Sequence, residues 1–92
     1  MKKQKYYFYQ LGALVKARRK ELGISQLALS KKLGYKNGQF ISNMERHLCS
    51  VPLDKVAQLS VELQITPDKI IERMSEDFKF NAKRVVLESD NV

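Results

Sequence analysis

Apolar residues recur at helical intervals along most of the chain. Leu11, Leu14, Val15 and Leu22, with Tyr7 or Phe8 one turn earlier, share one face, and Lys16, Arg19, Lys20 and Glu21 hold the other. Gly23 is placed to end this first helix in a left-handed cap. Ser25 offers an N-cap hydroxyl to a second helix, whose inner residues are Leu29 and Leu33 and which Gly34 closes. Tyr35-Lys36-Asn37-Gly38 reads as a tight polar turn, with Asn37 positioned to cap a third helix whose inner stripe is Ile41 and Met44. After a loop from His47 to Val51, Pro52 suits a first helical turn, and Leu53, Val56, Leu59 and Leu63 predict a fourth amphipathic helix. Thr66-Pro67-Asp68 begins a fifth, with Ile70, Ile71 and Met74 on its core face. Beyond Ser75 the periodicity weakens. Phe78 and Phe80 alternate with Lys79, and Val85, Val86 and Leu87 form a short apolar run, which leaves a strand, a sixth helix and a tail that orders on a partner all open. Residues 88–92 are expected to fray.

These elements predict an all-α fold: five helices of about eight to sixteen residues joined by short loops. Three stretches are expected: a basic and aromatic arm with the start of the first helix over 1–10, a helix-turn-helix domain over 11–75, and a C-terminal extension over 76–92. At 92 residues the chain supports one modest core. No run approaches the roughly eighteen apolar residues of a membrane span. The phenolic run Tyr6 to Tyr9 is no signal-peptide core. One cysteine, Cys49, and one histidine, His47, leave a zinc site short of ligands and point to a reducing, cytoplasmic setting. A redox role for Cys49 would need a neighbouring cation to lower its pKa. No cofactor is called for, and no nucleophile or paired carboxylate has the support that would suggest an enzyme.

Charge changes the picture more than size does. Seventeen basic against ten acidic residues give +7. Residues 1–36 hold ten basic side chains against Glu21 alone, whereas residues 37–92 hold seven against nine acids. A positive charge gathered in one half of the chain suits a polyanionic partner such as double-stranded DNA.

The chemistry sits between Ser25 and Arg46. Two short helices crossing near a right angle need a small residue inside the first, a glycine at the turn and a branched aliphatic inside the second. Ser30, Gly34 and Ile41 meet those needs. Gln39 and Asn43, four residues apart, share an outer face of the third helix, and a carboxamide can bond adenine N6 and N7 together; the alternative is a solvated polar face. Phe40 could pack on a thymine methyl or cover the core edge beside Met44. Asn37 could cap the helix or reach a base. Gln26 at the second helix's N-terminus, Lys36 in the turn and Arg46 are candidates for phosphate contacts, which position a domain without reading sequence. The basic arm Met1 to Lys5 could follow the backbone, enter a minor groove or remain a disordered tail.

Gly-Ile-Ser-Gln at 23–26, Leu-Gly at 33–34, Ile-Ser-Asn-Met-Glu-Arg at 41–46 and the leucine pattern from Pro52 onward resemble the lambda-repressor-like family of Cro- and CI-type (XRE) regulators. The resemblance spans about Leu11 to Met74. It implies five helices, binding to operators as dimers, and a third helix, about Gly38 to Arg46, reading the major groove. It also implies an ion pair between Arg19 and Glu45 that braces the first helix against the third, with Arg18 left as the freer cation for phosphate. The chain departs from the pattern in a turn one residue longer, and in His47 and Gln64 where glycine is usual. The expected function is a bacterial or phage-encoded, nucleoid-associated transcriptional regulator, a repressor acting as a homodimer on an inverted repeat. The alternatives are an antitoxin-type interaction module whose apolar extension takes a protein partner, or a restriction–modification controller.

Overall fold

The computed structural model describes residues 5–89, which form five α-helices and one 3-10 turn, with no strand among them. Helix α1 runs Tyr9–Leu22, α2 Gln26–Lys32, α3 Gln39–Glu45, α4 Val56–Leu63 and α5 Pro67–Ser89, with the 3-10 turn Leu53–Lys55 ahead of α4. Met1 to Gln4, most of the basic arm, and residues 90–92 of the expected frayed end lie outside the described residues.

Local chemistry places most of the helix ends. Gly23 takes φ +70° and returns its N–H to Arg19 and Lys20, while Ile24 N–H also reaches Arg19, so two of α1's last carbonyls are satisfied. The Ser25 hydroxyl accepts the Ala28 N–H at 3.0 Å and starts α2, and Gly34 at φ +93° turns the chain out of it. Asn37 Oδ1 accepts the Gln39 N–H at 2.9 Å, an Asx turn that leads into α3. The core is continuous: Leu11 and Val15 of α1, Leu29 and Leu33 around α2, Ile41 and Met44 of α3, Val56, Leu59 and Leu63 of α4 and Ile70 of α5 are all buried.

The N-terminus of α1 is capped from the far end of the chain. Phe8 stands at its N-cap and supplies no side-chain acceptor. Instead the Asp77 carboxylate, from α5, accepts the N–H groups of Gln10 at 2.9 Å and Leu11 at 3.0 Å. Asn81, one turn on, accepts the Tyr7 N–H through Oδ1 at 3.0 Å and donates from Nδ2 to the Tyr7 and Asp77 carbonyls. An anion at a helix N-terminus answers both the orphan donors and the helix dipole. Asp77 is 2% exposed, so these bonds are shielded from competing water.

Three expectations need correcting. The spacing places Leu53 on α4's inner stripe, but the chain makes a 3-10 turn there and Leu53 is 80% exposed. Helix α4 starts at Val56, with Pro52 ahead of the 3-10 turn. The segment after Ser75 is neither a strand nor a separate helix: α5 continues unbroken through Glu88 and Ser89, so the boundary at 75/76 falls inside it. No Gly or Pro interrupts 68–89, and the alternation of Phe78 and Phe80 puts the two rings on nearly opposite sides of a helix, not on one face of a sheet. The helices are also more uneven than expected, at seven residues for α2 and α3 and 23 for α5.

The cap across the chain has a measurable consequence. Asp77→Ala leaves the buried N–H of Leu11 and the half-buried N–H of Gln10 without acceptors and should cost about 1–3 kcal/mol of stability. Urea unfolding followed by helical circular dichroism should show a lower midpoint with little change in slope. A variant as stable as the parent would mean that α1 is capped by other means.

Candidate nucleic-acid interface

The packing of α3 against α2 and α1 depends on small groups at three contacts. Ser30 is fully buried, and its hydroxyl accepts the Ile41 N–H at 3.3 Å, so a side chain of α2 meets the backbone of α3 directly. Gly38 lies against the start of α2: a Cβ there would come within 3.2 Å of Leu27 N. Gly12 of α1 faces the other end of α3, where a Cβ would stand 2.3 Å from the Met44 carbonyl oxygen. Any side chain at Gly12 would push α1 off α3.

The angle of α3 is further held by charge. Arg19 grips Glu45 through two parallel bonds, Nε to Oε2 at 2.6 Å and Nη2 to Oε1 at 2.9 Å, while its Nη1 donates to the Ile24 carbonyl at 2.9 Å. Gln26 Nε2 donates to Glu45 Oε1 at 3.0 Å. One nearly buried carboxylate therefore ties α1, the α1–α2 loop and α2 to the end of α3. Burial by itself would push the Glu45 carboxyl up. The bonds from Arg19 and Gln26, with the charges of Arg19 and Lys16, outweigh burial and hold it below the ordinary carboxylate range. The bond to Glu45 likewise raises the Arg19 guanidinium above its ordinary value, although burial opposes this. Gln26, singled out above for phosphate, is thus engaged by Glu45 in the free protein.

On the outer side of α3, Gln39 Nε2 donates to Asn43 Oδ1 at 2.7 Å, and Arg46 Nη2 donates to the same oxygen at 2.8 Å. Three polar side chains thus line one exposed stripe. Among the described residues the Gln39 carbonyl oxygen and the Asn43 amide nitrogen keep no protein partner. Asn37 is engaged as a turn-former, its Oδ1 on the Gln39 N–H. Phe40 is half-buried and stacks on Tyr35 with ring centroids 4.2 Å apart and planes 18° apart. That stack spans the long turn and covers one face of the Phe40 ring. Lys36 is exposed at the tip.

Arg18 is more exposed than Arg19 but is itself engaged. Its Nε donates to the Leu63 carbonyl at 2.8 Å and its Nη2 to Gln64 at 3.4 Å, with Glu21 3.7 Å away. It faces the C-terminus of α4, where unpaired carbonyls and the negative end of the dipole attract a cation. Lys55 acts similarly on α2, donating from Nζ to the Leu33 carbonyl at 2.9 Å while lying 5.7 Å from the centre of the Tyr35 ring. Sequence reasoning passed over Lys55, Tyr35 and Gly12. Only the five-residue spacing of Tyr35 and Phe40 across the turn hinted at their contact.

The two glycine-replacing residues both take the left-handed conformation, His47 at φ +68° and Gln64 at φ +55°. His47 Nδ1 lies 3.4 Å from the Phe8 carbonyl and its ring packs against Tyr9 at 5.0 Å. Cys49 is half-buried, and burial pushes its thiol pKa up, away from a reactive thiolate. Among the described residues no group of His, Cys, Asp and Glu could hold a metal ion, and no helix is long and apolar enough to cross a membrane.

The chain matches no protein-family model and no curated protein. Its fold is similar to that of the restriction-modification controller protein C.AhdI from Aeromonas hydrophila, with a TM-score of 0.60 and 24% identity over 68% of this chain and 90% of that one. At that identity the likeness establishes the fold: an all-helical helix-turn-helix domain.

The Glu45 cluster makes stability depend on pH in a defined direction. A carboxyl whose folded pKa lies below its unfolded value stabilises the fold above the unfolded value, about 4.5, and that contribution fades as pH falls through the folded one. Glu45→Gln should lower the melting temperature at pH 7, since Arg19 is left buried without its counter-charge, at a cost of about 3 kcal/mol. The gap between variant and parent should narrow as pH falls below about 4.5 and through the lower folded value. A gap that stays constant over that range would rule out the ion pair as its source.

Proposed function

We propose that the chain is a sequence-specific DNA-binding transcriptional regulator, a repressor that binds an inverted-repeat operator as a homodimer with α3 in the major groove. The observation that carries this reading is the outward amide pair of α3. Gln39 and Asn43 are joined by one hydrogen bond, and the unpartnered acceptor on Gln39 and donor on Asn43 match the donor and acceptor that adenine presents at N6 and N7.

The remaining roles follow by position. Arg46 steadies Asn43 and is exposed to reach a phosphate. Lys36 at the turn supplies a second phosphate contact. Gln26, at the N-terminus of α2, supplies a third by keeping its bond to Glu45 while the backbone N–H groups face the anion. Phe40, stacked on Tyr35 beside the core, offers its exposed part to a thymine methyl, and Asn37 holds the start of α3 and assists base contact. Two copies double both base readout and phosphate contacts, and set two third helices about 34 Å apart. A second reading, the controller of a restriction–modification locus, is favoured by the likeness to C.AhdI and uses the same surface.

Selection of bound duplexes from a random pool at about 150 mM salt tests the reading, because that salt suppresses purely electrostatic binding. The parent should recover an inverted repeat. Gln39→Ala should relax preference at one symmetric position and lose about 1–3 kcal/mol on the parent site. Lys36→Ala should keep the consensus and flatten the salt dependence by about 0.9 per half-site in log–log slope. Recovery of no consensus by the parent would overturn the proposal.

A further inference from the structure

Helix α5 turns a second face outward, away from Asp77 and with Asn81 at its edge. Leu53 and Phe8 join Ile71, Met74, Phe78 and Val85 along an open apolar groove of about 980 Å3. Phe78 is 73% exposed and Val86 58%. A large apolar surface open to water marks an interaction site. Its sequence says what kind. Along this face the residues run Ile71, Ser75, Phe78, Ala82, Val85, Ser89, spaced alternately by four and three. Large residues recur every seven positions at 71, 78 and 85, and small ones every seven at 75, 82 and 89. None of the six is charged in a chain that is 29% charged, and Lys79 is the one charged residue lining the groove, so the seam is suited to an apolar partner rather than to nucleic acid.

We infer that this groove is filled by α5 of a second copy, packed antiparallel about a twofold axis near residue 80. Reversing the helix about that point sets Phe78 against Ala82 of the second copy, Ser75 against Val85, and Ile71 against Ser89. Every large side chain meets a small one, six times over the two halves of the seam. A twofold interface requires such self-complementarity, whereas an unrelated partner helix would not require the pattern to mirror itself. The alternating spacing of three and four is the one that keeps two helices in register along a shallow left-handed crossing.

Residues 71–89 span about 27 Å at 1.5 Å per residue, and Tyr6, Phe8 and Leu53 at the flank widen the apolar surface that a second α5 would cover. The aromatic run at the N-terminus does not compete for the role. Tyr7 and Tyr9 stack on each other at 5.5 Å, Tyr9 meets the edge of Phe80 at 5.6 Å, and Arg84 lies 5.3 Å from the Tyr7 ring centre. Those residues hold the arm to α5, and leave Tyr6 and Phe8 to line the groove.

This pairing rests on the homodimer reading above and specifies its surface. A size swap in the full chain, followed by sedimentation equilibrium without DNA, tests it. The parent should sediment at twice the chain mass at tens of micromolar. Ala82→Phe sets two phenyl rings against each other and should sediment as a monomer, and Phe78→Ala should weaken association by about tenfold or more. The double variant Phe78→Ala with Ala82→Phe exchanges knob and hole and should recover the dimer, with circular dichroism verifying that each variant is folded. A monomeric parent, a dimeric Ala82→Phe, or a folded double variant no tighter than the single ones would overturn the inference. Since no DNA is present, failure of the base-reading proposal leaves this result standing, and a monomer that still selects a half-site would sink the pairing alone.

Discussion

The ion pair of Arg19 with Glu45 is the contact on which the geometry of this protein turns. Helices α2 and α3 have seven residues each, too few to be stable alone, so their mutual angle comes entirely from tertiary contacts. The two parallel bonds fix Glu45, the last residue of α3, to the last turn of α1, and the third guanidinium bond and Gln26 extend the grip to the loop and to α2. A buried pair of this kind adds little net stability against an apolar replacement, but losing either partner strands a charge. Its effect is on orientation: α3 cannot tilt without breaking bonds to α1 and α2. Gly12 and Ser30 permit the approach that brings the charges together.

The second half of the chain solves a different problem. Helix α1 has no acceptor of its own at its N-terminus, and α5 supplies one through Asp77, with Asn81 clasping the strand of backbone just before it. Helix α5 packs on α1 and α4, while α2 and α3 pack on each other and α3 also on α1. The face proposed to read DNA and the face proposed to pair with a second copy therefore belong to different layers joined by α1. Such an arrangement lets a rigid dimer hold two recognition helices at a fixed separation.

Much of the α2–α3 unit was legible in sequence because its signals are local. Ser25, Gly23, Gly34 and Asn37 each act within four residues of themselves, and the spacing of Leu29, Leu33, Ile41 and Met44 follows directly from helical geometry. What escaped depends on partners remote in sequence. Asp77 and Asn81 bond to residues 66 to 74 positions away, and nothing near them in sequence distinguishes a capping Asp from a solvated one. Arg18 looked free because its acceptors are backbone carbonyls at the end of α4, which carry no residue signature. The continuity of α5 was obscured because its inward face is polar: Asp77 and Asn81 occupy positions where a hydrophobic pattern would have been sought. Leu53 misled in the opposite sense, being apolar and in phase with α4 yet exposed on a 3-10 turn.

The central claim is that the outer amides of α3 meet base edges while the Arg19–Glu45 cluster behind them stays closed. Nitrogen-15 NMR of side chains, titrated with the duplex recovered by selection, examines both halves at once. The account predicts large shifts for the Gln39 and Asn43 carboxamides and none for the Arg19 Nε–H, which remains on Glu45. Unchanged Gln39 and Asn43 signals in a saturated complex, or an Arg19 resonance that moves to a new environment, would contradict it.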